Sequence, residues 1–325
     1  MEKKNVLVLY PCDDATRQKL SQAAADRCNL FFVNPGEDYQ AYLKDAHIIL
    51  GESTNDDLRL CQKLEYLQSP NSGVNYYLDG NTLPDDALFC CATGCYGNII
   101  AEHMLAMTMA LCRRLPEYRD QQNRKEWQLL RYDKPLEDAT VLILGAGDIG
   151  TTLARWLRPM VGKIIGMRRV VRTFPDCYDE MITPAQLDDY LPMADIVLCA
   201  LPQTPETVGL LNKKRLGSMK ADAVLINGGR GSLIDQEALC RLLDGGKFWG
   251  VGLEVTTPEP LPKDHPLWKY PKVLITPHAA GNSFAPGSPL DRKIASLMVR
   301  NLCAYLTGQP LEGQVDRNTG YRKTT

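Results

Sequence analysis

One short stretch constrains this chain more than any other. Val141-Leu-Ile-Leu-Gly145-Ala-Gly147-Asp148-Ile149-Gly150 sets a G-x-G-x-x-G directly after an apolar run, and Thr151-Thr-Leu-Ala-Arg-Trp-Leu157 follows with helical character. Gly145 permits the tight turn, Gly147 lets the backbone approach a pyrophosphate, and Gly150 packs helix against strand. The helix N-terminus, reached through Asp148 and Ile149, then offers unpaired N–H groups to an anion. The pattern predicts a strand, turn and helix that hold a dinucleotide.

A strand-and-helix rhythm extends on both sides of that unit. Val6–Tyr10, Leu30–Val33, His47–Leu50 and Glu65–Gln68 read as strands, with helices over about 14–27 and 56–63 between them. A second series runs through Val141–Leu144, Lys163–Met167, Asp195–Cys199, Ala223–Asn227, Gly250–Val255 and Val273–Thr276. One helix from Ile99 to about Gln122 separates the two series, and a last amphipathic helix carrying Ile294, Leu297, Met298 and Leu302 stops at Gly308. Alternation of this kind predicts α/β architecture with two doubly wound parallel sheets, and 325 residues suffice for two domains.

Composition removes several function classes. Lys+Arg 37 against Asp+Glu 39 gives a net charge of -2, so no basic footprint for a nucleic acid is present. No apolar run reaches the roughly 20 residues of a membrane span, and Val6–Tyr10 is too short for a signal-peptide core. Eleven scattered cysteines fit reduced thiols in a cytoplasmic protein, and the Cys90, Cys91, Cys95 cluster lacks zinc spacing, so no metal is expected.

The strand after the fingerprint bears on the cofactor. An acidic residue about 20 positions on usually binds the ribose 2′-hydroxyl. Here the strand ends in Gly166-Met167-Arg168-Arg169, with a further arginine at Arg172. Guanidinium suits a 2′-phosphate in charge and shape, which predicts NADP over NAD.

Polar residues also collect after three later strands. Asn227-Gly-Gly-Arg230-Gly231, Glu254-Val-Thr-Thr-Pro-Glu259-Pro and Thr276-Pro-His278-Ala-Ala-Gly281 each lie beyond a carboxyl end, where open α/β sheets bind ligands. With Ala194-Asp-Ile-Val, Leu201-Pro202-Gln-Thr-Pro-Glu-Thr207, His265-Pro-Leu-Trp268, Ala101-Glu102-His103 and Gly308-Gln-Pro-Leu, these motifs run over nearly the whole chain. In them the sequence resembles the D-isomer-specific 2-hydroxyacid dehydrogenases, among them the glyoxylate/hydroxypyruvate reductases.

The resemblance implies a Rossmann cofactor domain, residues 101–284, inserted into a flavodoxin-like substrate domain of residues 1–100 and 285–325. It implies His278 as the acid/base, Glu259 as its orienting partner and Arg230 as a substrate-binding cation. Pro202 and Thr207 join Gly145, Gly147, Asp148, Ile149, Gly150, Arg168 and Arg169 as expected cofactor contacts. Ser72-Gly73-Val74 resembles the family's substrate-carboxylate loop, so Ser72 and Gly73 are expected substrate contacts with Arg230 and His278. The expected partners are a small 2-oxo or 2-hydroxy acid and a second copy of the chain, and some relatives send a Trp near the position of Trp127 to the partner's pocket.

The chemistry of those side chains agrees with the roles. Reduction of a 2-oxo acid needs hydride at C2, a proton for the developing alkoxide and a cation for the carboxylate. Imidazole supplies the proton near neutral pH, a neighbouring carboxylate orients it, and a guanidinium supplies the cation. Two departures stand out. Glu254 replaces the family's usual Asp before Val255, and Arg168 replaces the cofactor-strand acid. Two competing readings differ in chemistry: formate dehydrogenase relatives carry Gln where Glu259 stands, and a dinucleotide-sensing binding protein shares the fold without turnover.

Overall fold

Parallel strands need crossovers long enough to hold a helix, and the alternating pattern supplies them. The computed structural model describes residues 3–171, 173–282 and 285–323. The chain forms two units, residues 1–96 with 283–325, and residues 97–282.

In the first unit β1 (Lys4–Val8), β2 (Cys28–Phe32), β3 (Ile48–Leu50), β4 (Tyr66–Gln68) and β5 (Leu88–Cys90) form one sheet in the order β2-β1-β3-β4-β5. Every neighbouring pair is parallel, which is the flavodoxin-like order. Leu7, Ile49, Leu67 and Phe89 face one apolar cluster with Leu58 and Tyr77. The sequence reading missed β5. Its outer edge is covered by the C-terminal segment, where Val315 N–H donates to Phe89 O and Cys91 N–H to Gly313 O.

In the second unit β6 (Thr140–Leu144), β7 (Lys163–Met167), β8 (Glu180–Ile182), β9 (Ile196–Cys199), β10 (Val224–Asn227), β11 (Gly250–Leu253) and β12 (Val273–Ile275) run in the order β12-β11-β10-β9-β6-β7-β8. All pairings are parallel. Alternate residues of the strands enter two separate cores. Val141, Ile143, Ile196, Leu198, Val224 and Ile226 pack on one face, against Met104, Met107, Leu153 and Leu157. Leu142, Leu144, Ile165, Val197, Leu225 and Val251 pack on the other, against Leu187, Leu216 and Leu239. Burial on both faces is why these strands read as unbroken apolar runs. The short β8 was the second strand missed.

The helix expected over Ile99–Gln122 is two helices, Gly97–Cys112 and Leu115–Arg124, with Arg114 between them at φ 56°. Pro116 explains the break, because its ring clashes with the carbonyl four residues back and it has no N–H to continue the ladder. The second unit opens where the first of these helices opens, at Gly97, and ends at Asn282.

Candidate active site

The parallel order sets the loops after β6, β9, β10, β11 and β12 on one edge of the second sheet. The loop after β6 carries the fingerprint. Gly145 has φ 105°, and a Cβ there would come within 2.6 Å of Ala200 O, so only glycine fits the turn. The helix Asp148–Leu157 follows. Side-chain caps close the helices starting at Asp14, Lys213, Gln236 and Pro289, whereas the fingerprint helix has none. Nothing lies within 4 Å of where a Cβ of Gly147 would stand. An uncapped N-terminus with open space before it fits a pyrophosphate.

The side chains of Asp148 and Ile149 turn elsewhere. The Asp148 carboxylate lies over Gly97, and Ile149 packs against the core beneath the sheet, which leaves the backbone of this turn for the anion. Arg168 and Arg169 follow β7 and are exposed. The Arg168 N–H donates to Ile182 O at 3.1 Å, and its guanidinium, whose charge reaches Tyr178, makes no hydrogen bond or ion pair among the described residues. Glu206 is held below the usual carboxylate range, first by its hydrogen bond with Thr204, with the Arg169 charge adding to the effect. Arg172 lies outside the described residues. Pro202 is exposed, while Thr207 is buried and closes the loop after β9, its hydroxyl donating to Pro202 O at 2.6 Å and accepting from Thr204 N–H at 2.8 Å.

The next three loops hold the acid/base candidates. Asn227, fully buried at the end of β10, accepts from Gly229 N–H at 3.1 Å and donates to Arg230 O at 2.9 Å. That shape carries Arg230, whose Nη1 donates to Gly229 O at 2.7 Å. Burial pushes the Arg230 guanidinium below its ordinary range, and the Glu259 carboxylate opposes that shift. A Cβ on Gly231 would overlap the Thr256 carbonyl, so glycine lets the Arg230 turn rest directly on the loop after β11.

In that loop Glu259 Oε1 accepts from Thr256 N–H at 3.0 Å, which leaves Oε2 for His278 Nδ1 at 2.8 Å. A carboxylate only accepts, so Nδ1 carries the hydrogen and Nε2 is the nitrogen left to exchange a proton with a ligand. The peptide bonds Thr257–Pro258 and Glu259–Pro260 are cis. His278 itself has φ 53°, a left-handed conformation that costs about 1–3 kcal/mol for a residue other than glycine. Its N–H donates to Glu254 O and Thr276 O, both at 3.0 Å.

The structure thus brings Glu259 and His278 into contact, with Arg230 close enough to feel the Glu259 charge. Ser72 and Gly73 lie in the other unit, in the turn after β4, and their N–H groups make no hydrogen bond among the described residues. Sequence reasoning assigned no role to Glu254, buried at 2 % exposure, or to His103, whose Nε2 stands 3.0 Å from Glu254 Oε2. The only signal was the apolar setting of each, because the pairing spans separate elements.

Two doubly wound units, a dinucleotide fingerprint and a carboxylate-oriented histidine define an oxidoreductase of the dinucleotide-dependent class. The family profile described as D-isomer specific 2-hydroxyacid dehydrogenase, NAD binding domain, matches residues 105–280, and the chain belongs to the D-isomer specific 2-hydroxyacid dehydrogenase family. A family member from Aeromonas salmonicida is 31% identical, with 97% of this chain and 100% of that one covered and a TM-score of 0.82. The NADPH-dependent glyoxylate/hydroxypyruvate reductase of Sinorhizobium meliloti, solved with NADP and sulfate, is 25% identical, with 98% and 100% covered and a TM-score of 0.80. An uncharacterised protein of the proB 3′ region in Corynebacterium melassecola is 29% identical over 289 residues, 86% of this chain and 91% of its own. The family chemistry is NAD(P)-dependent oxidoreduction at the CH–OH group of 2-hydroxy acids. Among the described residues no helix is long and apolar enough to cross a membrane.

Proposed function

We propose that this chain reduces small 2-oxo acids of the glyoxylate and hydroxypyruvate kind to D-2-hydroxy acids, with NADPH preferred to NADH and His278 as the general acid. The hydrogen bond between His278 Nδ1 and Glu259 Oε2 carries the reading, because it fixes the ring with Nε2 outward on a half-exposed side chain. When bound, the dinucleotide supplies the hydride. His278 Nε2 delivers the proton that the C2 oxygen takes up, so the carbonyl gains a hydride and a proton and becomes the hydroxyl. Arg230 binds the substrate carboxylate or polarises the carbonyl, and Ser72 and Gly73 are further proposed substrate contacts.

In this reading residues 1–100 with 285–325 are the substrate domain and residues 101–284 the cofactor domain. Gly145, Gly147, Asp148, Ile149 and Gly150 hold the pyrophosphate, Pro202 and Thr207 are further cofactor contacts, and Arg168 with Arg169 takes the 2′-phosphate. The exposed guanidinium of Arg168, with no hydrogen bond or ion pair among the described residues, supports NADPH. Trp127, Leu129 and Tyr132, with 104%, 84% and 70% exposure, support a homodimer formed over this apolar segment. All eleven cysteines are free thiols, which fits the reducing cytoplasm.

The test is the initial rate of NADPH and NADH oxidation with glyoxylate, hydroxypyruvate, pyruvate and longer 2-oxo acids. Faster turnover of glyoxylate or hydroxypyruvate with NADPH supports the reading. Dinucleotide binding without turnover of any 2-oxo acid overturns it in favour of a dinucleotide-sensing role.

A further inference from the structure

Next to the His278–Glu259 pair stands a second carboxylate and imidazole, which the reaction as proposed does not use. Glu254 follows β11 and is buried to 2 % exposure. Its Oε1 accepts from Ala280 N–H at 2.5 Å, and its Oε2 takes the Thr276 hydroxyl and lies 3.0 Å from His103 Nε2. The same Nε2 is 3.0 Å from Thr276 Oγ1. Since the threonine proton goes to Glu254, Nε2 is the donor in both contacts, so the His103 hydrogen sits there. The Glu254 main chain adds a fourth contact, its carbonyl accepting from His278 N–H at 3.0 Å.

One residue therefore grips the His278 turn on both sides and at its centre. The side chain of Glu254 holds Thr276 and Ala280, and its backbone holds His278, the residue in the left-handed conformation. His103 reaches the carboxylate from the helix that opens the second unit at Gly97, and Ala280 stands close to that unit's last residue, Asn282. We propose that Glu254 and His103 are positioning residues, which hold the 276–280 turn in the conformation that presents His278 Nδ1 to Glu259. A carboxylate is required at this place, because three donors converge on two oxygens. An amide offers one acceptor oxygen and sets its own N–H₂ against at least one of those donors.

The proposal rests on His278 as the acid, and its test separates the two ideas. Three quantities are measured on the whole chain: kcat with the best 2-oxo acid, Kd for NADPH, and the ring resonances of the four histidines in ligand-free protein, assigned by single substitutions. Glu254→Gln and His103→Leu are expected to lower kcat by about tenfold to a hundredfold, the scale of a misplaced catalytic group. NADPH Kd stays within about twofold, and the His278 ring signal moves. His103→Gln keeps a donor and is expected to retain most of the turnover. Wild-type kcat with an unmoved His278 ring in His103→Leu overturns the proposal, as does a loss of NADPH binding in step with kcat. If Glu254→Gln fails to fold, the two His103 variants decide. If the wild type turns over no 2-oxo acid, the functional reading fails, while the ring spectra still decide whether Glu254 and His103 set the His278 turn.

Discussion

Glu259 divides its two carboxylate oxygens, one fixed by the N–H of Thr256 at 3.0 Å and the other holding His278 Nδ1 at 2.8 Å. The backbone thus orients the carboxylate before the carboxylate orients the imidazole. Glu259→Gln keeps an oxygen for Thr256 but turns an N–H₂ towards Nδ1, so it is expected to lower kcat by about tenfold to a hundredfold, while His278→Ala lowers it by about a hundredfold or more. Both side chains are half-exposed, so thermal unfolding midpoints should stay near that of the wild type. Steady-state kinetics alongside thermal melts check both, and unchanged turnover in His278→Ala removes the acid from the mechanism.

Burial holds the Arg230 guanidinium below its ordinary range, and the Glu259 charge only partly opposes that shift. Replacing its planar fork with the point charge of lysine is expected to raise KM for the 2-oxo acid by about tenfold, with a smaller effect on NADPH affinity. A titration of Arg230→Lys with substrate at saturating NADPH gives the answer, and an unaltered KM shows that the guanidinium does not meet the substrate carboxylate.

Arg168 follows β7, and its guanidinium makes no hydrogen bond or ion pair among the described residues. Arg168→Asp is expected to reverse the preference, raising the KM for NADPH and lowering that for NADH, because a carboxylate repels a 2′-phosphate and accepts from a 2′-hydroxyl. The ratio of kcat/KM for the two dinucleotides is the measurement.

Lys134 is 8% exposed, and its ammonium donates to Asp222 Oδ2 at 2.8 Å. That hydrogen bond is the first cause of a lowered Asp222 pKa. With the folded value below the unfolded one, about 3.9, the contribution is present above the unfolded pKa and fades as pH falls through the folded value. Asp222→Asn should therefore melt below the wild type at neutral pH, and the gap should close in strong acid. A gap independent of pH contradicts the linkage.

The extended segment after Arg124 leaves Trp127 and Leu129 almost entirely in water. If a second copy covers them, Trp127→Glu combined with Leu129→Glu shifts the sedimentation coefficient from dimer to monomer. A wild-type monomer at micromolar concentration ends the dimer reading.

The fold was legible because its signals are local. The β6 run, the fingerprint glycines and the apolar strands that follow carry their structure in consecutive residues, and a strand buried on both faces has few alternatives. The reading faltered at β5, at β8 and at Pro116, which divides the expected helix after its apolar spacing has ended at Leu111.

The chemistry of the site divides in the same way. Arg230, Glu259 and His278 stand out in the sequence as site candidates because each lies in a loop beyond a strand, inside its own motif. Which oxygen of Glu259 faces His278, that Gly231 makes room for the Thr256 carbonyl, and that Glu254 meets His103 were decided only by folding. Those relationships join positions far apart in the chain: 19 residues for His278 with Glu259, and the span from the first helix of the second unit to the end of β11 for His103 with Glu254. Sequence determines which chemical groups are present and which local turns they occupy. Tertiary packing decides which donor meets which acceptor, because a hydrogen bond is set by distances of a few ångströms that no local pattern encodes.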